Sequence, residues 1–320
     1  MLKFPMSRPS INSAFPAPWR ALAVVIVAGM AAGTTFAAPI TEADYNGLNL
    51  GTAANYGIVD LGSTTLGMNS GPVVGNVLVG NGLTVQLSGG NNGGITGNLY
   101  YDSTAHISGA LQNPITESLV STSVTQAALI SAENVASFAK SLAVTPTTTV
   151  TGNFNNQATK ITGNGGLNVI DVASIQNAPL TISGNANDYF VINISGEYQT
   201  NQPMTLIGVT AAQILFNFTG TGTVFSTSGG DQNLYGTFLA AKGGSMDIQK
   251  DTFSNLDVYG ALIDTDGDMQ FVSGSKLNYT GQKIPFAGVP DGASTVALLG
   301  GALVGLAALR RRFGPAVSRN

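Results

Sequence analysis

Three segments of this chain return after a constant 24 residues, and that periodicity limits the architecture more than any other feature. Pro179-Leu180-Thr181-Ile182-Ser183-Gly184 returns as Pro203-Met204-Thr205-Leu206-Ile207-Gly208. Phe190-Val191-Ile192-Asn193-Ile194 returns as Ile214-Leu215-Phe216-Asn217-Phe218, and Leu234-Tyr235-Gly236-Thr237-Phe238-Leu239 as Val258-Tyr259-Gly260-Ala261-Leu262-Ile263. A fixed period between about 20 and 50 residues marks a solenoid or a propeller. Twenty-four residues are too few for a four-stranded blade, which takes about 40. They suffice for one coil of a parallel β-helix, three short strands joined by three turns. Each strand then pairs with the coils above and below, so the backbone hydrogen bonds are satisfied along the axis.

The expected fold is therefore mainly β: a right-handed parallel β-helix with about 24 residues per coil. In this reading Val191, Leu215, Leu239 and Ile263 point inward as a stacked aliphatic ladder. Asn193 and Asn217 form a second column, either an outward row or an internal Asn ladder. Gly184, Gly196, Gly208 and Gly220 fall at corners. The earlier stretch Tyr56 to Tyr101 has the same texture, with Gly75-Asn76-Val77-Leu78-Val79 answered by Gly97-Asn98-Leu99-Tyr100-Tyr101, and reads as further coils.

One helical segment, about Ser118 to Leu142, separates the two β regions. Val124, Ala128, Ser131, Val135, Phe138 and Leu142 share one face at helical spacing. Ser123 with Gln126 fits a capping box, and Pro146 closes the segment. A helix with one apolar stripe needs a surface, and the side of the solenoid supplies it.

Both ends of the chain are apolar and carry targeting patterns. Lys3, Arg8 and Arg20 precede the apolar run Ala21 to Ala32, with small residues after it and a cleavage point expected after Ala37. That order is a secretory signal peptide, residues 1–37, and it implies the Sec translocon and a signal peptidase. At the other end, Val289-Pro290-Asp291-Gly292-Ala293-Ser294-Thr295 is followed by the apolar run Val296 to Leu309 and the basic stop Arg310-Arg311-Arg312. A helix over 293–309 would be roughly 25 Å long, short for a hydrocarbon core of about 30 Å and suited to a temporary anchor. Hydrophobic helices are thus expected at both termini, flanking a β-helix domain over 38–288, with the sorting segment at 289–320.

Between the signals the chain carries six lysines, no arginine and sixteen carboxylates, a net of −10 against −4 for the whole sequence. Such a surface repels phosphate backbones, which excludes a nucleic-acid partner. Cysteine is absent, so an exported chain of this kind depends on burial and backbone pairing alone. Charged residues make up only 9%, yet Val, Ile, Leu and Phe recur at strand spacing, which separates the sequence from a disordered one.

Chemistry has few footholds. His106 is the sole histidine and reads as a surface loop residue, since no Cys or second His completes a nucleophile–base pair or a zinc site. Asp264, Asp266 and Asp268 alternate as in a Ca²⁺ loop, but Gly267 is misplaced and Ser275 stands where the bidentate Glu belongs. Asp247, Asp251 and Asp264 are the carboxylates a glycosidase would use. A core without arginine argues against an enzyme that holds acidic sugars, so the chain is read as no enzyme, with no cofactor beyond that Ca²⁺ candidate. Thr181 and Thr205, paired by the repeat, are two members of the threonine column that ice binding requires, too few by themselves for an extended face, and they read equally as an ordinary solvent face.

The tail resembles the PEP-CTERM class of bacterial sorting signals, in its Val-Pro-Asp variant, with Gly292-Ala293 in place of the usual Ser-Gly. The resemblance implies removal by the membrane protease exosortase, a Gram-negative host with transient inner-membrane anchoring, and a place at the cell surface amid exopolysaccharide. The order of coils, helix and coils across Leu48 to Tyr279 resembles the ice-binding β-helix family in architecture. These expectations converge on a structural or adhesive, glycan-associated surface protein. Ice binding is the first alternative and a polysaccharide-acting enzyme the second.

Overall fold

The computed structural model describes residues 45–282 apart from 63–64, 70, 89–93, 111–114, 229–231, 242–243, 250–255 and 273–274. The signal peptide, both terminal helices, the 289–295 motif, Arg310 to Arg312 and Asp251 lie outside the described residues.

The β-regions wind as parallel coils on three sheets, of twelve, eight and four strands among the described residues. One coil runs Leu167–Val172, Ile175–Gln176 and Leu180–Ser183, and the next runs Tyr189–Ile194, Tyr198–Thr200 and Met204–Ile207. Strands pair in parallel with their counterparts one coil away, for example Val191 with Leu215 and Thr181 with Thr205, except that Thr149–Thr151 pairs antiparallel with Thr159–Thr162. The spacing is not uniformly 24: Val169 pairs with Val191 at 22, Leu215 with Thr237 at 22, and Ile58 with Val77 at 19.

Spatial order departs from sequence order. The first described coil, starting at Ile58–Asp60, stacks on the last one, at Leu256–Asp264, with Ile58 opposite Leu262 and Asp60 opposite Asp264. All three faces close there, because Leu66 also pairs with Met269 and Val73 with Leu277. From this seam the chain winds outward to Thr116–Leu119, then crosses back along the stack in a long helix, α1, Thr122–Ser141. It resumes at the far end and winds home to the seam. Twenty helical residues cover about 30 Å, or about six strand spacings of 4.8 Å. Extended flanks add the remainder. They are anchored where Val120 N donates to Tyr101 O and Thr145 N to Val169 O.

Helix α1 is shorter than the sequence pattern suggests. Residues 116–119 pair as a strand with 98–101, and Ser121 rather than Ser123 is the N-cap, its hydroxyl accepting from Ser123 N at 3.2 Å. The buried face comprises Thr125, Ala128, Ala132, Val135, Ala136 and Ala139. It is rotated from the expected stripe, because small alanines let the helix axis lie close to the sheet.

Where α1 lies on it, the twelve-stranded sheet is consequently covered on both sides, and its strands there read as continuous apolar runs. Residues 189–194 and 214–218 are buried throughout. Phe190, Ile192, Phe216, Phe238 and Leu262 face the solenoid interior. There Phe216 stacks on Phe238 at 4.9 Å and Phe238 on Phe225 at 4.6 Å. Val191, Leu215, Leu239 and Ile263 are buried on the opposite side, beneath α1 and the 3-10 turn Gly51–Asn55. The expected ladder is thus corrected twice. It faces the helix rather than the interior, and it is broken, since the 22-residue step sets Leu215 opposite Thr237 and Leu239 opposite Asn217.

Candidate functional site

Because one sheet lies under α1, the surfaces left for a partner are the outer faces of the other two. The eight-stranded sheet is the broader. Its inward residues Tyr198, Phe225, Met246, Met269, Leu66 and Val85 are buried, so the alternate positions face out. In register the row runs Gln176, Gln199 and Ser226, then, past backbone position 247, Gln270, Gly67, Gln86 and Ser108. Seven steps of about 4.8 Å make this row about 34 Å long. A second outward row holds Thr65, Thr84 and His106, and a third Asn69 and Ser88. A Cβ on Gly67 would come within 2.1 Å of Gln270 Oε1. The Gln270 amide therefore lies over the glycine and keeps the row continuous. Ser226 Oγ bonds Glu197 Oε1 at 2.6 Å.

The four-stranded sheet is smaller. Its outward positions are Thr149, Thr162, Ser183 and Ile207 in one row and Thr151, Lys160, Thr181 and Thr205 in the next. Thr181 and Thr205 are in register as the repeat requires. Exposed Lys160 and Ile207 interrupt the threonine pattern.

The other sequence candidates are not brought together. His106 begins the strand His106–Ala110 and is exposed opposite Thr84, so it belongs to a sheet edge rather than a loop. Asp264 is fully buried, with Oδ1 accepting from Asp266 N at 3.1 Å and Gly267 N at 2.8 Å. Asp266 and Asp268 are exposed, and Asp268 Oδ1 accepts from Thr65 N at 3.1 Å. The three carboxylates do not converge: among the described residues, no group of three or more His, Cys, Asp or Glu is placed to hold a metal ion. The alternation that suggested Ca²⁺ is a turn closed by the Asp264 side chain onto backbone N–H groups. Asp264 is likewise too deep to meet a polysaccharide.

Two polar features extend the sequence reading, the first by adding Asp171 to the expected Asn193–Asn217 column. Asp171, Asn193 and Asn217 form a ladder under α1. Asn193 Nδ2 donates to Asp171 Oδ1 at 2.9 Å, and Asn217 Nδ2 to Asn193 Oδ1 at 2.8 Å. The repeat pointed to the two asparagines, but Asp171 precedes the repeated block. A cleft of about 370 Å³ opens beside the ladder, lined by Lys140, Asp171, Asn193, Ser195 and Thr219 among others.

Asp102 supports the start of α1. Thr125 Oγ1 donates to its Oδ2 at 2.6 Å, Asn81 N to the same oxygen at 3.4 Å, and Thr104 N to Oδ1 at 2.9 Å. Burial pushes this carboxyl up, but the bonds from Thr104, Thr125 and Asn81 outweigh it and hold the carboxyl below its ordinary value.

Residues 45–263 match the family profile described as an ice-binding-like adhesive domain. The chain belongs to that family. Residues 288–313 match the VPDSG-CTERM motif, so this adhesive-family domain is joined to a sorting signal of the exosortase type, found on exported, surface-anchored chains. The family is not one of enzymes. Solved structures similar to the chain include an ice-binding protein from an Antarctic biological consortium, at 16% identity over 72% of this chain and 90% of that one, with a TM-score of 0.46. An ice-binding protein of an Arctic yeast matches at 17% identity over 76% and 96%, with a TM-score of 0.45. One from Shewanella frigidimarina matches at 12% over 73% and 98%, with a TM-score of 0.42. No curated protein matches the chain.

Proposed function

We propose that the domain is a surface-displayed adhesive module whose eight-stranded face binds neutral, hydroxyl-rich polysaccharide of the extracellular matrix. The observation that supports this most is the outward row of Gln176, Gln199, Gln270 and Gln86, with Ser226 within it and Ser108 at its end. A primary amide offers both donors and acceptors, the complement of a sugar hydroxyl, and a rigid sheet presents them without further ordering cost. The net charge of −10 between the two signals disfavours polyanions, which points to neutral chains. The mature module would run from Ala38 to about Gly288. Export through the Sec translocon, cleavage by signal peptidase and processing by an exosortase would place it at the surface of a Gram-negative cell.

Ice binding is the second reading, favoured by the in-register Thr149, Thr151, Thr162, Thr181 and Thr205 of the four-stranded sheet and by the family description itself. The two readings separate in one experiment. The domain is screened on a panel of neutral and acidic polysaccharides beside an ice-recrystallisation assay. Retention on neutral glycans with unaltered ice growth supports adhesion. Inhibited ice growth without glycan retention replaces it with ice binding.

A further inference from the structure

At the seam, the interior column of the twelve-stranded sheet runs Ile194, Phe218, Ala240, Asp264, Asp60, Val79. Two aspartates thus interrupt an apolar stack, directly opposite each other on the first and last coils, and both are fully buried. One oxygen of each is used locally. Asp264 Oδ1 closes the 264–267 turn, and Asp60 Oδ1 accepts from Gly62 N at 3.4 Å. The second oxygens, Asp60 Oδ2 and Asp264 Oδ2, are buried without a hydrogen-bond partner among the described residues. The other strands packed on the pair contribute Val79 and Ala240. The remaining charged groups that act on it, Asp266 and Asp268, are of like sign.

Two ionised carboxylates in such a place would be prohibitively costly, whereas one shared proton turns the idle oxygens into a donor and an acceptor. We propose that Asp60 and Asp264 share a proton across the seam and form a pH-sensitive latch, closed in acid and weakened as the pH rises. Geometry supplies the position. Strand Ile58–Asp60 enters the stack only through its pairing with Leu256–Asp264 on one side and Val77–Val79 on the other, so ionisation of the pair acts where the chain's two arms meet. Burial pushes both carboxyls up, Asp264 to about 7 and Asp60 well above its ordinary value, with each other's charge adding to the effect at Asp60. In the unfolded chain both ionise near pH 4. Between pH 4 and 7 the folded state therefore holds more protons, and each retained proton lowers the folding equilibrium about tenfold per pH unit of rise.

The test is thermal unfolding of the full chain in mild detergent from pH 5 to pH 8, with Asp264→Asn and Asp60→Asn beside the wild type. The latch predicts a wild-type Tm that falls as pH rises and a flattened profile in either variant, with the variant above wild type at pH 8. Hydrogen exchange of the wild type, corrected for intrinsic rates, should show the 58–60 and 256–264 amides losing protection at pH 8. This readout stands even if a variant does not fold. A wild-type Tm that is level or rises across the range overturns the proposal, as does unchanged protection of those amides. Recovery of the pH 5 Tm at pH 8 on adding Ca²⁺ also overturns it, by showing that a cation neutralises the pair.

Discussion

Asn217 donates its side-chain amide both to Asn193 Oδ1, one coil away at 2.8 Å, and to the Ala136 carbonyl of α1 at 3.0 Å. Asn193 repeats the arrangement with Asp171 Oδ1 and the Ala139 carbonyl. The ladder therefore fixes the register of neighbouring coils and the height of the helix at once. Asn217→Ala leaves Asn193 Oδ1 without its donor beneath the helix, a loss of about 1 to 3 kcal/mol. Urea unfolding should show that loss as a lower midpoint with an unchanged slope.

Asp102 ties the opposite end of α1 to the coils through Thr125 and Asn81. Its carboxyl is held below the ordinary value, so its contribution is present above the unfolded pKa of about 3.9 and is lost as pH falls through the folded one. Asp102→Ala should cost about 2 kcal/mol at pH 7, because the Asn81 and Thr104 amides lose their acceptor and the Thr125 hydroxyl is left with the Thr122 carbonyl alone. The difference from wild type should shrink toward pH 2, as followed by denaturant unfolding at each pH.

Gly236 and Gly260 stack in register, with φ of 136° and 148°. A Cβ on Gly260 would lie 1.8 Å from Gly236 O. Neither the dihedral nor the approach admits a side chain, so Gly260→Ala should destabilise by about 3 kcal/mol or more. Gly82→Ala is a useful contrast, since its φ is also positive but nothing lies within 4 Å of the added Cβ. Its smaller loss would isolate the cost of the dihedral from that of the clash. Differential scanning calorimetry of the two variants makes the comparison.

The C-terminal match to the VPDSG-CTERM motif over 288–313 leads to a prediction on the intact chain. Expressed in an exosortase-proficient host, the surface form should lack the Val296 to Leu309 stretch, and Val289→Ala with Pro290→Ala should leave the tail in place. Intact-mass spectrometry of the membrane and surface fractions reads both outcomes. An unprocessed wild-type tail contradicts the assignment.

Coils and sorting tail were legible in the sequence because each is a local, linear pattern. Period and turn residues report strands that pair with near neighbours, and the tail is defined by the order of its parts. What stayed hidden was long-range. Nothing near Ile58 announces Leu262 as its partner, so the return of the last coil to the first could not be read. The orientation of 189–194 was equally hidden, since both sides are buried and alternation vanishes when α1 covers the outer one. The Leu239 register failed for a simpler reason, because the coil before it is two residues shorter than the repeat. The outward glutamine row of the candidate site is spread over eight coils of unequal length, and only their register assembles it. Asp264 stood out as part of an acidic run, but its partner Asp60 lies 204 residues away in sequence and becomes a neighbour only at the seam.

The most direct test of the adhesive account is retention of the purified chain on an immobilised neutral polysaccharide, with Gln86→Ala/Gln199→Ala beside Thr181→Val/Thr205→Val. Both pairs replace side chains that are not fully buried on outer faces, so stability should change by about 0.5 kcal/mol at most. The account predicts that the glutamine variant loses retention by about tenfold, as expected for about 1.4 kcal/mol of lost hydrogen bonding, while the threonine variant is retained like wild type. Equal retention of both variants, or an effect confined to the threonine pair, would contradict it.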